Sequence, residues 1–273
     1  MIWLNGALVE EHRAEVSALD HGLTVGDGVF ETVKTVHGRT FALTRHLDRL
    51  ARSAAGLGLP EPDLEQVRKG VEAVTAANPA PLGRLRITYT GGLGPLGSDR
   101  LDTPPTLVIA LGATAPRPDT TAAATVEWTR NERAATAGLK TTSYAENVIA
   151  LAHAHRLGAS EALFPNTVGA LCEGTGSNVF VVLGGKLLTP PLASGCLAGV
   201  TRALVLDWCD GEEADLPIEV LQQAEEVFLT STLRDVQAVS RIDDRVLGDA
   251  PGPVTARAMA AFTARSAADT DPR

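Results

Sequence analysis

The order of strand-like and helix-like segments is the feature that most constrains the fold of this chain. Alternating apolar and polar residues predict short strands through the first forty residues, and further strand patterns recur up to about residue 242. Helical patterns interrupt them at about 44–57, 63–77, 143–157, 199–209 and 253–267. Thr44 is the expected N-cap of the first helix, which is expected to end near Gly58, and Ser143 and Glu146 are expected to form a capping box at the start of the third. This mixed order predicts two α+β domains with a cleft between them, where a ligand site tends to form.

A proline-containing segment of small polar residues marks the predicted domain boundary. Residues 112–121 include Pro116 and Pro118 and are typical of a linker. We therefore predict an N-terminal α+β domain over residues 1–112, a linker over 113–122 and a C-terminal domain over 123–273. A chain of 273 residues is long enough to bury two modest cores.

Charge and hydropathy argue against several classes of partner. The formal net charge is −9 without a basic block, which disfavours nucleic acid or an anionic membrane as the main partner. Apolar runs have only strand length and the N-terminus lacks a signal-peptide pattern, so neither a membrane span nor secretion is predicted. Cys172, Cys196 and Cys209 lack metal or redox spacing, which favours reduced thiols in the cytoplasm and no metal site.

A solitary lysine and a glutamate 33 residues later carry the candidate chemistry. Lys140 has no charged residue within five positions on either side, and a partly buried amine is a better nucleophile than a solvated one. Glu173 opens the sequence Glu-Gly-Thr-Gly-Ser-Asn, a Gly-rich turn that a small planar ligand can approach. Together they suggest pyridoxal phosphate (PLP), with the lysine on its aldehyde as a Schiff base and the glutamate on its pyridine nitrogen.

The chain has only four lysines, and the other three have simpler interpretations. Lys69 is predicted to be solvated on a helix, Lys186 to be exposed in a hairpin turn, and Lys34 to lie in a strand over 30–36. Arginine cannot replace lysine as the covalent partner because its guanidinium stays protonated. Lys140 is therefore the candidate, and the alternative is a loop lysine without a role.

Three segments could hold a phosphate group. Arg49 lies on the first predicted helix, and residues 199–201 open another helix, whose N–H groups and positive dipole end would face an anion. Residues 230–232 (Thr-Ser-Thr) end a strand with three hydroxyls. Each segment alone is weak evidence, because such residues usually serve as surface charge, caps or turns. Their value comes from occurring together with Lys140 and Glu173.

Residues 92–97 match the pattern G-x-G-x-x-G after a strand, but we do not interpret them as a dinucleotide site. Pro95 and the residues that follow it open no helix, so no helix N-terminus is available for a pyrophosphate. We predict instead a flexible loop that faces the substrate.

These motifs together resemble the class IV aminotransferase family, the fold-type-IV PLP enzymes. The resemblance covers nearly the whole chain and is carried by residues 26–31, 46–50, 139–140, 173–180, 199–202 and 230–232. It implies a small N-terminal α/β domain, a larger C-terminal pseudo-barrel domain and a cofactor cleft between them. It also implies a homodimer that acts on a small-molecule amine or amino acid.

The resemblance implies roles for individual residues. Lys140 would form the Schiff base and transfer protons, Glu173 would pair with the pyridinium nitrogen, and Tyr144 would approach the cofactor O3′. The phosphate would be held by Arg49, Val200, Thr201, Ser231 and Thr232. The substrate would be contacted by Phe30, Lys34, Tyr89 and Leu96.

The family contains both transaminases and 4-amino-4-deoxychorismate lyase, and the residues around Lys140 favour the lyase. The stretch 139–149, which includes Glu146 and Asn147, resembles the lyases more than the transaminases. Lys34 stands where lyases often carry a cation that could meet a substrate carboxylate. We expect a reaction that expels pyruvate and yields p-aminobenzoate. The alternatives are a transaminase of D-amino acids or (R)-amines and a non-catalytic PLP-binding protein.

One departure from the family pattern affects both the lyase and the transaminase interpretation. Lyases carry arginines at loop positions occupied here by Tyr89 and Leu96, and the Arg and His of D-amino-acid transaminase loops are also missing. Lys34, Arg86 or Arg100 could supply the missing charge, and the sequence leaves the choice open.

Overall fold

A computed structural model describes residues 1–273, and the chain divides into two units. Unit 1 comprises Met1–Pro116, Leu139–Ser143 and Asp269–Arg273, and unit 2 comprises Arg117–Gly138 and Tyr144–Ala268. The Lys140 segment and the last five residues thus belong to unit 1, whereas the sequence interpretation placed both in the C-terminal domain. None of the six α-helices combines the length and the apolar character that a membrane span requires.

Unit 1 contains a six-stranded antiparallel sheet and three α-helices. Its elements are β1 (Ile2–Leu4), β2 (Ala7–Val9), α1 (His21–Thr24), β3 (Gly28–Val36), β4 (Arg39–Thr40), α2 (Leu43–Leu57), α3 (Leu64–Ala77), β5 (Leu82–Thr90) and β6 (Thr106–Ala113). The strand order is β2-β1-β6-β5-β3-β4. The long strands β3 and β5 pair without interruption from Gly28↔Thr90 to Val36↔Leu82, which fixes which side chains share a face.

The two faces of this sheet differ because successive side chains of a strand point to opposite faces. One face packs on α2 and α3, where Val29, Val33 and Leu47 are fully buried in the core of the unit. The opposite face of β3 carries Phe30 and Lys34. Two candidate substrate residues therefore lie on the face that is not covered by these helices.

The start of α2 differs from the sequence prediction. Thr44 was the expected N-cap, but the observed N-cap is Ala42, two residues earlier, which has a left-handed conformation and makes no side-chain cap bond. The Thr44 backbone N–H and hydroxyl instead donate to Asp271, at 2.9 and 2.5 Å. A tertiary partner thus replaces the local cap. The predicted end of the helix is confirmed, with Gly58 as a left-handed C-cap.

Unit 2 contains a mixed nine-stranded sheet and three α-helices. Its elements are β7 (Thr120–Thr125), α4 (Ala145–Arg156), β8 (Glu161–Pro165), β9 (Leu171–Gly174), β10 (Asn178–Leu183), β11 (Lys186–Thr189), α5 (Val200–Trp208), β12 (Glu212–Glu213), β13 (Glu226–Ser231), β14 (Asp235–Ile242), β15 (Arg245–Val246) and α6 (Pro253–Ala268). The strand order is β12-β11-β10-β13-β14-β7-β8-β9, with β15 paired to β14. This order places β7 between β14 and β8, parallel to both.

The predicted capping box at the start of α4 does not form. Tyr144 is the N-cap and makes no side-chain cap bond. Ser143 donates its hydroxyl to the Gly26 carbonyl oxygen, and the Glu146 carboxylate lies 3.4 Å from Arg130 Nη1. Both residues of the expected box therefore have tertiary partners, which local sequence spacing does not reveal.

Candidate active site

The Lys140 segment is held in an extended conformation by β3 and α2. Phe30 N–H donates to the Lys140 carbonyl oxygen at 2.9 Å, and Thr142 N–H donates to the Gly28 carbonyl oxygen at 2.8 Å. Lys140 N–H donates to Ser53 Oγ at 3.2 Å. The lysine is half-buried, and its Nζ lies 4.3 Å from the centre of the Phe30 ring. A fixed backbone thus presents the amine beside an aromatic ring.

The remaining lysines lie where the sequence predicted them. Lys69 and Lys186 are exposed, as expected for solvated charges. Lys34 lies in β3, is buried, and has its Nζ 5.2 Å from the centre of the Phe41 ring.

Arg49 is oriented by a buried carboxylate. Its Nε donates to Glu31 Oε1 and its Nη2 to Glu31 Oε2, both at 2.7 Å, which forms a two-pronged ion pair. His46 Nδ1 lies 2.7 Å from Glu31 Oε2. Glu31, a residue of the 26–31 motif, is fully buried. It therefore fixes the guanidinium plane of Arg49, the predicted phosphate ligand.

The charges in this cluster are set by burial and by each other. Burial alone would raise the pKa of Glu31, but the Arg49 guanidinium and His46 outweigh it and hold that pKa well below its usual range. Burial lowers the pKa of His46, and the nearby cations Arg49 and Lys140 lower it further against the opposing effect of Glu31. The cluster therefore pairs one carboxylate with one guanidinium beside a neutral imidazole.

Arg86 lies on the same sheet face as Phe30 and Lys34. Its register partner is Thr32, so its side chain alternates in phase with theirs. The Arg86 guanidinium carbon lies 3.3 Å from the centre of the Phe30 ring, a stacked cation–π contact. Together with Lys140 Nζ beside the same ring, this face concentrates positive charge around one aromatic side chain.

The structure does not bring the other two candidate substrate residues to this face. Tyr89 pairs with Val29 and belongs to the hydrophobic core, where burial raises the pKa of its phenol. Leu96 is 81% exposed on the loop after β5. The sequence pattern did not reveal the position of either side chain. Strand register turns Tyr89 into the core, and the path of the loop leaves Leu96 exposed.

The loop after β5 is tied to the unit by several side chains. The Arg100 guanidinium donates to both Asp27 oxygens, at 2.7 and 2.5 Å, and to the carbonyl oxygens of Leu57 and Gly58 at the end of α2. His21 Nε2 lies 3.2 Å from the Pro95 carbonyl oxygen. No helix follows the G-x-G-x-x-G pattern, so this loop lacks the helix N-terminus that would hold a pyrophosphate. Lys34, Arg86 and Arg100 were the candidate cations for a substrate carboxylate, and the guanidinium of Arg100 is bound to Asp27 instead.

Glu173 lies on β9 with its two oxygens in different environments. Oε2 accepts a hydrogen bond from Leu197 N–H at 2.9 Å. Oε1 lies 3.3 Å from Arg130 Nε, an ion-pair distance without hydrogen-bond geometry. Arg130 also packs its guanidinium 4.1 Å from the centre of the Phe164 ring. Sequence reasoning missed Arg130, because it stands in an irregular loop whose sequence contains no recognisable signal.

The start of α5 and the end of β13 meet at Asn178. Asn178 Nδ2 donates to the Leu197 carbonyl oxygen at 2.9 Å, and Asn178 is the register partner of Thr230. Any side chain at Gly199, the N-cap of α5, would clash with Asn178 Oδ1. Two of the three predicted phosphate segments are therefore neighbours in the folded chain.

Two observations at this junction fit a phosphate-bearing cofactor. No side chain caps α5, so the helix presents its N-terminal N–H groups at Val200 and Thr201. The Thr230 hydroxyl is buried without a hydrogen-bond partner. Ser231 and the turn residue Thr232 follow it and are half-buried. The donor set therefore suits an anion.

Comparison with known proteins identifies the family. A family model for amino-transferase class IV matches residues 28–242. This chain belongs to that family. Class IV aminotransferases are PLP-dependent enzymes, so the predictions of an enzyme and of PLP as its cofactor are confirmed.

Three similar proteins illustrate the range of the class IV aminotransferase family. D-alanine aminotransferase of Staphylococcus haemolyticus is 30% identical over 96% of each chain. The bifunctional aminodeoxychorismate lyase / D-amino acid transaminase of Mycobacterium tuberculosis is 31% identical, covering 92% of this chain and 94% of the relative. Branched-chain amino acid aminotransferase of Escherichia coli has a solved structure that matches with a TM-score of 0.90 at 25% identity, covering 96% of this chain and 93% of that one. The predicted fold type IV is confirmed.

Proposed function

We propose that this class IV aminotransferase-family enzyme is a 4-amino-4-deoxychorismate lyase, which releases pyruvate and yields p-aminobenzoate for folate synthesis. The observation that carries the proposal is the cationic sheet face around Phe30. Arg86 stacks on that ring, Lys34 lies on the same face, and Lys140 Nζ lies 4.3 Å from the ring centre. Aminodeoxychorismate carries one carboxylate on its six-membered ring and a second on its enolpyruvyl ether, and the two cations Arg86 and Lys34 on the sheet face that carries Phe30 suit such a ligand.

The residues proposed to hold PLP follow from the sites described above. Lys140 would bind the aldehyde and Glu173 the pyridine nitrogen, while Tyr144 would approach O3′. The phosphate would be held by Arg49, Val200, Thr201, Ser231 and Thr232. When bound, PLP withdraws electrons from the bonds next to the substrate nitrogen.

The protein groups would then divide the remaining work. The Lys140 amine, released from the cofactor, would take up and return the substrate proton as general base and acid. The Glu173 carboxylate would keep the pyridine nitrogen protonated, which strengthens the ring as an electron sink. The Leu197 N–H donates to Glu173 Oε2 and would keep this carboxylate in one orientation.

Residues of the lyase-like stretch support this choice, since they bond to the surroundings of Glu173. Glu146 reaches Arg130, which lies beside Glu173. Asn147 donates its amide to the Thr175 carbonyl oxygen, two residues after Glu173. The loop cations of lyases and of D-amino-acid transaminases are both absent here, and Arg100 is bound to Asp27, so this loop does not favour either reaction.

Transamination of D-amino acids is the second candidate. It is favoured by the Mycobacterium tuberculosis relative, whose name combines both activities. The two reactions share the same early proton transfer at Lys140, so one protein scaffold could support both.

The deciding experiment compares the two substrate sets on purified holoenzyme. We expect p-aminobenzoate, detected by its fluorescence, from aminodeoxychorismate, and slower D-glutamate formation from D-alanine with 2-oxoglutarate. Pyruvate is unsuitable as the readout because D-alanine also yields it. Rapid D-glutamate formation without any p-aminobenzoate would reject the lyase. Lys140→Ala serves as the inactive control and Lys69→Ala, an exposed lysine, as the matched active one.

We also propose that the enzyme is a homodimer in the cytoplasm. Large exposed apolar side chains, including Val148 and Ile149 on α4 and Leu23 on α1, support an interface between two copies. The three cysteines are unpaired, as expected in a reducing compartment. Light scattering coupled to size-exclusion chromatography would test the dimer, and a mass of one chain, 28.5 kDa, would contradict it.

A further inference from the structure

A buried carboxylate–arginine pair lies at the start of β8, among residues that have no role in the proposed function. Glu161 is 2% exposed, and the Arg234 side chain is 7% exposed. Glu161 Oε2 lies 3.6 Å from Arg234 Nη2. Burial lowers the pKa of the Arg234 guanidinium, and the Glu161 carboxylate opposes that effect.

Glu161 shapes the loop that follows Glu173. Its Oε1 accepts the Thr175 N–H at 2.9 Å and also the Thr175 hydroxyl, and its Oε2 accepts the Ser177 hydroxyl at 2.8 Å. A Cβ at Gly174 would lie 2.5 Å from Ser177 Oγ, which is bonded to Glu161, and 2.9 Å from the Glu161 carboxyl carbon. Glycine is therefore needed at 174 because the loop wraps around a buried carboxylate, and the path of the chain after Glu173 depends on Glu161.

Arg234 holds the turn between β13 and β14. Its Nη2 donates to the Ser160 carbonyl oxygen at 2.9 Å, and its Nη1 donates to Gln237 Oε1. Its backbone N–H donates to the Ser231 carbonyl oxygen at 3.2 Å and to Ser231 Oγ at 3.3 Å. The turn that carries Ser231 and Thr232 is thereby attached to Ser160.

Since Ser160 and Glu161 are consecutive, two separate loops share one anchor at the start of β8. We propose that Glu161 and Arg234 are positioning residues that set the Glu173 carboxylate and the Ser231–Thr232 turn at the separation that PLP requires. This inference rests on the proposed roles of Glu173, Ser231 and Thr232. Its physical basis is that the pyridine nitrogen and the phosphate are joined through one rigid ring, so a loop displaced on either side loses its contact.

The test compares the affinity of each variant for PLP and for pyridoxal, which lacks the phosphate. We expect Arg234→Met to weaken PLP binding about tenfold, the usual effect of losing a buried hydrogen-bonded group, and to change pyridoxal binding by less than about threefold. We expect Glu161→Gln to weaken binding of both compounds about tenfold, because it displaces the loop next to Glu173. The matched controls are Glu219→Gln and Arg257→Met, exposed residues of the same unit.

Folding is followed by circular dichroism on every variant, and Ser177→Ala and Gln237→Leu are milder changes in the same network. Each is expected to weaken PLP binding about threefold. Equal losses of PLP and pyridoxal in Arg234→Met would overturn the positioning role of the turn. Wild-type affinity in all four folded variants would overturn the inference while leaving the proposed function intact. A wild-type protein that does not bind PLP would reject the proposed function itself.

Discussion

Replacing Glu31 by glutamine should destabilise unit 1 strongly, because it leaves a buried guanidinium without its counter-charge. Glu31 is fully buried, accepts two hydrogen bonds of 2.7 Å from Arg49 and contacts His46 at 2.7 Å. Removing one partner of a buried ion pair typically costs about 3–5 kcal/mol. At about 2–4 °C per kcal/mol for a chain of this size, the expected fall in Tm is about 6–20 °C.

The assay is thermal unfolding of the cofactor-free protein at pH 7.5, followed by circular dichroism. Glu72→Gln is the matched control, since it removes an exposed carboxylate of α3 and should change stability by less than about 0.5 kcal/mol. A Glu31→Gln protein whose Tm lies within about 2 °C of that control would refute the reasoning.

The pH dependence adds a second criterion. The depressed pKa of Glu31 means that its contribution is fully present above the unfolded-state pKa of about 4.3 and is lost only as the pH falls through the folded-state value. His46 in the variant would lose the carboxylate that raises its pKa, so acid would disfavour the variant further. The difference in Tm should therefore be at least as large at pH 5.5 as at pH 7.5. A difference that vanishes at pH 5.5 would contradict the assigned ionisation.

Further predictions concern the reacting groups. Lys140→Ala should abolish the imine absorbance and activity without unfolding the protein, and an intact imine band would contradict the assignment. Glu173→Gln should retain PLP but lose turnover by about 100-fold or more, because the ring nitrogen is no longer held protonated, and an unchanged kcat would reject this role. Arg130→Met should lower kcat/KM about tenfold, because it releases one Glu173 oxygen. Glu146 is an exposed partner of Arg130, and Glu146→Gln should change kcat/KM by less than about twofold. Equal losses in the two variants would contradict a specific effect on Glu173. Arg86→Leu should raise KM for aminodeoxychorismate about tenfold with PLP retained, and an unchanged KM would remove Arg86 from the substrate site.

Much of the fold was predictable because the relevant signals are local. The periodicity of 63–77 and 253–267 corresponds to α3 and α6 within one residue, and Gly58 ends α2 as predicted. The predicted N-caps at Thr44 and Ser143 were wrong, because each of these residues bonds to a distant segment instead of its own helix. Capping rules describe an isolated helix, and they fail where a tertiary partner competes for the same side chain.

The candidate site also contains residues that the sequence reveals and residues that only the tertiary structure reveals. Lys140 and Glu173 could be singled out from residue type and glycine pattern, since a nucleophilic amine and a carboxylate on a Gly-rich turn are chemically distinctive. Arg130, by contrast, gave no signal, because its relation to Glu173 comes from loop packing alone. Glu161 was equally hidden inside an ordinary strand sequence.

The amino-acid sequence by itself determined the family, the cofactor and the two residues, Lys140 and Glu173, proposed to bind its aldehyde and its pyridine nitrogen. Only the tertiary structure decided which of the candidate cations lie near Lys140. Strand register places Arg86 and Lys34 on the face of Phe30 and turns Tyr89 into the core, and loop packing leaves Arg100 bound to Asp27. The physical reason is that side-chain chemistry belongs to the residue, whereas the direction of a side chain depends on pairing with strands far away in sequence.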